Sequence, residues 1–259
     1  MAADWQSQIR ANPLVPKIQV RALQKNFGTL PVIEGVSFSV ADGEFVAIVG
    51  PSGCGKSTLM NTIAGFEKPD SGEVRIDGAR LVGPSPRGIV ISQHGSVFPW
   101  LTVQQNLMFG LNGARHETNV SQRAALADHY AAMVGLKGFE AHYPHELSGG
   151  MLKRVELARA FIVKPEILYL DEPFSALDAL MNLRMRNELM RILEEERHTV
   201  LLITHDVDEA IYMADRILVL SPRPTTIQAS FEVNLPHPRR LASPEAQALR
   251  DALLKELGL

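Results

Sequence analysis

The sequence predicts an α/β fold, on three observations. The stretch Gly50-Pro51-Ser52-Gly53-Cys54-Gly55-Lys56-Ser57-Thr58 fits the phosphate-loop pattern G-x-x-x-x-G-K-[ST]. A strand-like apolar run, Phe45–Val49, leads into it. A helix-like run, Lys56–Ala64, leads out, with Gly65 where a helix stop belongs. Two more fully apolar runs, Ile167-Leu168-Tyr169-Leu170 and Val200-Leu201-Leu202-Ile203, each end in polar or charged residues. Buried parallel strands read this way, and their carboxyl ends are where ligands bind in open α/β sheets.

Taken in order, the residues up to about Pro16 read as a loose leader. Residues 18–23 alternate apolar and polar, the period of a half-buried strand, and Lys25-Asn26-Phe27-Gly28 reads as a turn. Phe27 is apolar within that polar turn; its ring suits stacking on a base or plugging the core, and the residues alone leave both open. Residues 36–40 predict a strand with Asp42-Gly43 as its turn. Beyond the loop helix, Lys68-Pro69-Asp70-Ser71-Gly72 is a turn cluster, and Val74-Arg75-Ile76 is a short strand. Gly88–Ile91 is another, ending in Ser92-Gln93. Val97-Phe98-Pro99-Trp100-Leu101-Thr102 is an aromatic cluster around a proline that neither a core helix nor a core strand explains. The pattern turns helical over 103–111 and again over 115–134, where Gly135 ends it.

Ser148, in Leu147-Ser148-Gly149-Gly150, is an N-cap candidate for a helix over 151–163. The apolar strand 167–170 closes on two carboxylates, Asp171-Glu172. Ser175-Ala176-Leu177-Asp178 then turns into a helix reaching about Arg197. The strand 200–203 ends in Thr204-His205-Asp206, followed by a helix over Val207–Met213 and a strand over 217–220. Ser221-Pro222-Arg223-Pro224 is a turn, 227–235 alternates like an edge strand, and 246–257 closes as an amphipathic helix.

Bulk composition narrows the class. The chain has 259 residues, 46% apolar, with net charge −3. That is enough for a sizeable core and lacks the global basic field that attracts nucleic acid. Cys54 is the one cysteine, so there is no internal disulfide, which fits a reducing compartment. No apolar run approaches the ~18–20 residues of a membrane span, and the N-terminus lacks an apolar signal core. A cytoplasmic protein is expected, with a peripheral membrane role open.

The loop has a direct physical reading. Glycines let the backbone curl so that N–H groups converge on phosphate oxygens, and the next helix presents its positive end to the same anion. Lys56 can reach the β- and γ-phosphates, and the Ser57 hydroxyl can ligate Mg²⁺. Cys54 lies at that helix start beside Lys56, which predicts a depressed thiol pKa; the opposing reading is a small inert hydrophobe turned inward. Alone, a strand-end Asp-Glu pair is more often a cap, and a lone His a structural hydrogen-bonder.

The order of these features changes that weighting. The phosphate loop, Gln93, Leu147-Ser148-Gly149-Gly150, the strand ending Asp171-Glu172, Ser175-Ala176-Leu177-Asp178 and His205 together resemble the nucleotide-binding subunit of ATP-binding cassette transporters. The resemblance runs from Ile18 to the last helix. It implies a phosphate-loop NTPase core with an antiparallel β subdomain and a helical subdomain. The chain would be a single domain over 1–259, with the helical part at about 94–163 and a short strand and helix at about 222–259. It also implies ATP and Mg²⁺ as cofactors. The loop residues 50–58 would hold phosphates, and Ser57, Gln93 and Asp171 would hold the metal. Glu172 would polarise the attacking water, with Lys56, Gln93 and His205 at the γ-phosphate, and Phe27 would be the adenine platform. Ser148, Gly149, Gly150 and Asp178 would serve a second cassette packed head to tail, identical or not.

Met151 ends a signature where most of the family carries Gln. This resembles the branch of nitrate, sulfonate, taurine and bicarbonate importers, as do Phe98-Pro99-Trp100-Leu101-Thr102-Val103 and the tail at 221–224 and 235–239. The implied partners are a membrane permease, touched near Phe98 and Trp100, and a solute-binding protein. The implied activity is ATP hydrolysis driving import of a small anionic solute from the cytoplasmic face of the membrane. A soluble cassette ATPase of DNA repair or translation is the alternative, but one phosphate loop and no heptad array argue against it. A GTPase would want Asn-Lys-x-Asp, and no asparagine here precedes a lysine.

Overall fold

An antiparallel hairpin opens the chain: β1 (Ile18–Phe27) and β2 (Leu30–Val40), turning at Gly28 with φ 60°. There follow β3 (Phe45–Val49), α1 (Lys56–Ala64), β4 (Ser71–Ile76), β5 (Ala79–Arg80), β6 (Gly88–Ile91), α2 (Val103–Phe109), α3 (Val120–Met133) and α4 (Gly149–Phe161). The rest is β7 (Ile167–Asp171), α5 (Ala179–Glu195), β8 (Thr199–Thr204), α6 (Val207–Met213), β9 (Arg216–Leu220), β10 (Ile227–Glu232) and α7 (Pro244–Glu256). The computed structural model describes residues 15–92, 97–112, 119–175 and 178–259.

The chain forms two compact units. The first comprises the described residues up to Gly88, with Ile167–Glu172 and Glu196–Leu259. It holds two sheets. One is antiparallel, in the order β2-β1-β4-β5. In the other, β9, β3, β8 and β7 lie side by side and parallel, and β10 adds antiparallel at the edge. Every residue of β3 and β8 is buried, which is why these strands read as continuous apolar runs instead of alternating ones. α1 packs against β7 and β8, and α6 against β3 and β8. The second unit, Ile89–Glu166 with Pro173–Glu195, carries α2 to α5; α2, α3 and α4 pack on one another.

Several boundaries differ from expectation, most of all β2, which starts at Leu30 and not at 36; three have a clear local reason. β1 runs through Phe27, because Lys25, Asn26 and Phe27 pair with β2 and the Asn26 amide donates to Asp70 Oδ2 at 2.6 Å. The polar residues there sit on a solvated strand, so polarity does not mark a turn. α3 starts at Val120, five residues later than read, at a capping box. The Gln122 amide donates to Asn119 Oδ1 at 2.9 Å, and the Asn119 amide to Gln122 Oε1 at 3.1 Å. β10 stops at Glu232; just beyond it the carbonyls of Val233 and Leu235 accept from Arg239, whose buried guanidinium also donates to the carbonyls of Ile211 and Ala214.

Candidate nucleotide site

β3 delivers the chain to Gly50, and the loop that follows is shaped by close approaches. A Cβ on Gly50 would lie 3.0 Å from Leu220 Cβ and 3.2 Å from Cys54 Sγ. Gly53 has φ 73° and Gly55 φ 116°, a region L residues avoid. A Cβ on Gly55 would also strike Val32 Cγ1 at 2.8 Å. The Cys54 amide donates back to Pro51 O at 3.3 Å, so the loop closes on itself. α1 starts at Gly55 with no side chain capping it, which leaves its first amides for an incoming acceptor. Lys56 is buried, and its ammonium donates to Gly50 O at 2.9 Å and Pro51 O at 3.0 Å. It is thus folded over its own loop. Ser52, Gly53 and Ser57 are exposed, and Thr58 is half-buried.

Cys54 corrects one expectation. Its side chain is buried at 2% exposure. Burial pushes the thiol pKa up, outweighing the Lys56 ammonium, the backbone amides and the Arg223 charge that pull it down. Being in the loop, the residue contributes backbone, and its sulfur is a small core atom. Helix position alone does not fix a thiolate; the direction of the side chain does.

Sheet register assembles the acids and the histidine. Val49 pairs with Thr204, and Asp171 pairs with Ile203. Gly50, His205 and Glu172 therefore leave the sheet along one carboxyl edge. Asp171 ends β7, half-buried. Glu172 turns sharply at φ 46°, and its amide donates to Ile203 O at 2.9 Å. That conformation is costly for a non-glycine residue. It sets Glu172 Oε2 3.3 Å from His205 Nδ1, with the Glu172 side chain at 19% exposure and His205 at 61%.

The backbone on either side of His205 is fixed. The Thr204 hydroxyl donates to Glu209 Oε2, the Asp206 amide donates to Thr204 Oγ1 at 3.0 Å, and Asp206 Oδ1 caps α6 by accepting from Asp208 and Glu209 amides. Sequence reasoning passed over Glu209 and the Asp206 cap, although Asp followed by two acids at a helix start is a readable signal.

Phe27 ends β1 with half its surface exposed and the Lys25 ammonium 5.2 Å from its ring centre. The core-plug alternative is not what the structure shows. Gln93 lies outside the described residues, as do Ala176 and Leu177. The residues are oxygen-rich where a metal is implied. Asp171 and Ser57 supply the hard carboxylate and hydroxyl donors that Mg²⁺ takes, and α1, which carries Ser57, packs on β7, which carries Asp171.

The remaining expected residues belong to the second unit. Ser148 caps α4, its Oγ accepting from the Met151 amide at 3.3 Å. Among the described residues a Cβ on Gly149 would meet nothing within 4 Å, whereas one on Gly150 would come within 3.1 Å of Met181 Cε. Asp178 starts α5, its Oδ1 accepting from the Met181 amide at 2.9 Å. In the aromatic cluster Phe98 sits 4.4 Å from Phe109 and 5.6 Å from Trp100, centroid to centroid, and Trp100 is 69% exposed. Fully buried Asn106 ties this loop down. It accepts from the Phe98 amide at 2.8 Å and donates to the carbonyls of Phe98, Leu101 and Thr102 at 3.1, 3.0 and 3.0 Å.

Comparison with known proteins is consistent with this geometry. Residues 33–175 match the ABC transporter family. A Brucella abortus protein named for ATP binding is 45% identical over 239 residues, covering 91% of each chain. The aliphatic sulfonates import ATP-binding protein of Bacillus thuringiensis is 41% identical, covering 90% of each. The nitrate import ATP-binding protein of Synechococcus elongatus is 43% identical, covering 82% of this chain and 78% of that one. Among solved structures, the ATP-binding cassette MJ0796, a dimer in a post-hydrolysis state bound to ADP and Pi, aligns with TM-score 0.74 at 28% identity. The alignment covers 84% of this chain and 99% of that one. A family model that matches more than half of the chain, and relatives above 40% identity along most of it, show that this protein belongs to the ABC transporter family and is an ATPase.

Proposed function

We propose that the chain is the ATP-hydrolysing subunit of an importer for a small anionic solute, working at the cytoplasmic face of a membrane beside a permease and a solute-binding protein. One observation carries the reading: Asp171, Glu172 and His205 leave one sheet edge of one unit beside the strand that delivers the phosphate loop, on whose carbonyls Lys56 is folded, in a chain more than 40% identical to proteins named for sulfonate and nitrate import.

The residues divide the work of phosphoryl transfer, which is mostly positioning and charge stabilisation. The loop amides and Lys56 hold the phosphates, and Phe27 stacks on the adenine. Mg²⁺ bound by Ser57, Asp171 and Gln93 would neutralise charge on the β- and γ-oxygens. Glu172 accepts a proton from the attacking water, and its contact with His205 holds the two side chains in register over the γ-phosphate position. Ser148, Gly149, Gly150 and Asp178 act on the nucleotide of a second cassette, so two copies or relatives enclose two ATP molecules in a two-fold pair. Trp100 and Phe98, held by Asn106, form the permease contact; a soluble protein rarely leaves such a patch exposed without use.

Among the described residues no helix is long and apolar enough to cross a membrane; in this reading a separate permease carries the solute. The test is reconstitution with a permease into vesicles containing ATP. Labelled sulfonate or nitrate should enter in an ATP-dependent manner, and Trp100→Ala should abolish uptake while leaving the ATPase of the isolated subunit. Full uptake by that variant would remove the docking role. No ATP-dependent uptake of either solute by the wild-type protein, with its ATPase intact, would favour the soluble-cassette alternative.

A further inference from the structure

A cation outside the motif stands over the phosphate loop. A Cβ on Gly53 would lie 3.4 Å from Arg223 Nη2, and the Arg223 charge acts on the Cys54 thiol. Arg223 is exposed, and among the described residues no hydrogen bond or ion pair engages its guanidinium. A solvated arginine on a loose loop would deserve no comment. This one is on a loop stitched to the nucleotide site. Thr225, two residues on, is fully buried. Its hydroxyl donates to Cys54 O, its amide to Val32 O at 2.8 Å, and its carbonyl accepts from the Glu34 amide at 2.9 Å. Ser221 Oγ donates to Pro222 O at 2.9 Å and accepts from the Thr226 amide at 2.9 Å. Pro222 and Pro224 flank the arginine and restrict its backbone. The loop backbone is therefore tied to the phosphate loop, and little backbone freedom is lost when the arginine engages a ligand.

We infer that Arg223 is a nucleotide-contacting residue, a second cation that binds a phosphate oxygen of ATP from the outer, Gly53 side of the loop while Lys56 binds from within. The chemistry suits the role. Lys56 is a point charge already shared between two carbonyls, whereas a planar guanidinium can give two parallel N–H donors to a phosphate. The inference rests on the phosphate loop being the nucleotide site, and the test separates the two.

Binding of Mg-AMP-PNP, which is not hydrolysed, is measured by calorimetry on full-length protein at low and high salt. Arg223→Ala should weaken binding about tenfold at low salt, the range of one charge-assisted hydrogen bond. Its affinity should also fall less steeply with salt than the wild type's. Arg223→Lys should recover part of the loss, and the ligand-free melting temperature should not move. Affinity within twofold of wild type would overturn the inference. So would a loss that leaves the salt dependence unchanged or lowers the ligand-free melting temperature, since that marks a structural role. Lys56→Ala is the control: if it too binds normally, the loop is not the nucleotide site and the broader reading fails.

Discussion

Two helix starts in this molecule are built from the same materials to opposite effect. At α1 the glycines are locked, with Gly55 at φ 116° against Val32. Lys56 is buried on the loop carbonyls, and no side chain caps the helix. At α4 the cap is filled by Ser148, which serves its own helix through the Met151 amide, and Gly149 faces open space. The first start leaves its amides uncapped by any side chain, which suits the phosphate role proposed for it. The second fills its own cap and keeps an uncrowded backbone at Gly149, which suits the proposed contact with a second cassette. A glycine-rich helix start is thus not one kind of structure: what caps it and what crowds it differ between the two.

The largest effect that would sharpen this contrast sits beside the first start. Glu172→Gln keeps the shape and removes the base, so hydrolysis should fall at least ~10²-fold while nucleotide binding survives. Steady-state turnover and calorimetry check both. The two glycines come next. Gly55→Ala combines a forbidden φ with a clash at Val32 and should cost about 1–3 kcal/mol of stability, with nucleotide binding weakened. Gly149→Ala should melt within a degree or so of wild type and bind nucleotide normally as a monomer, yet turn over slowly because the partner's site is spoiled. Equal damage from both would erase the distinction.

How legible was this in the sequence? The α/β class, the loop, the buried strands and α1 and α6 were read to the residue or nearly so, because continuous apolar runs and a glycine motif are local signals. The acids and histidine were legible as strand ends, but not that the register of β8 sets Glu172 beside His205; pairing is a non-local fact. Cys54 was misjudged for the same reason. Chain position says it is near a helix start and a lysine, but not that its sulfur turns into the core behind Gly50. Arg223 was visible as part of a turn and of a tail resembling that of the importer branch, but not as a neighbour of the phosphate loop, since nothing local reveals that Thr225 ties that turn to Cys54.

Two smaller effects follow. Cys54 in the native protein should react with maleimide at least ~10-fold more slowly than in urea, with or without nucleotide, because it is buried and its thiolate is disfavoured. Mass spectrometry of labelled protein checks this, and rapid native labelling would contradict it. His237 is held down to about 4 by burial and the Arg239 charge, against an ordinary value near 6.5. The folded chain thus resists a proton the unfolded chain accepts. Its stability is fully present above about pH 6.5 and drains as pH falls toward 4, by about 1–2 kcal/mol given partial exposure. His237→Asn should flatten the melting temperature across that interval.

The most direct test of the account is the self-association of Glu172→Gln protein, followed by analytical ultracentrifugation with and without ATP. The phosphate loop of one copy and the open Gly149 turn of another are held to enclose the nucleotide together. The variant should therefore sediment as a monomer without ATP and a dimer with it, and adding Gly149→Asp should keep it monomeric although ATP still binds. A protein that binds ATP, remains monomeric throughout and hydrolyses at full rate with Gly149→Asp alone would contradict the account.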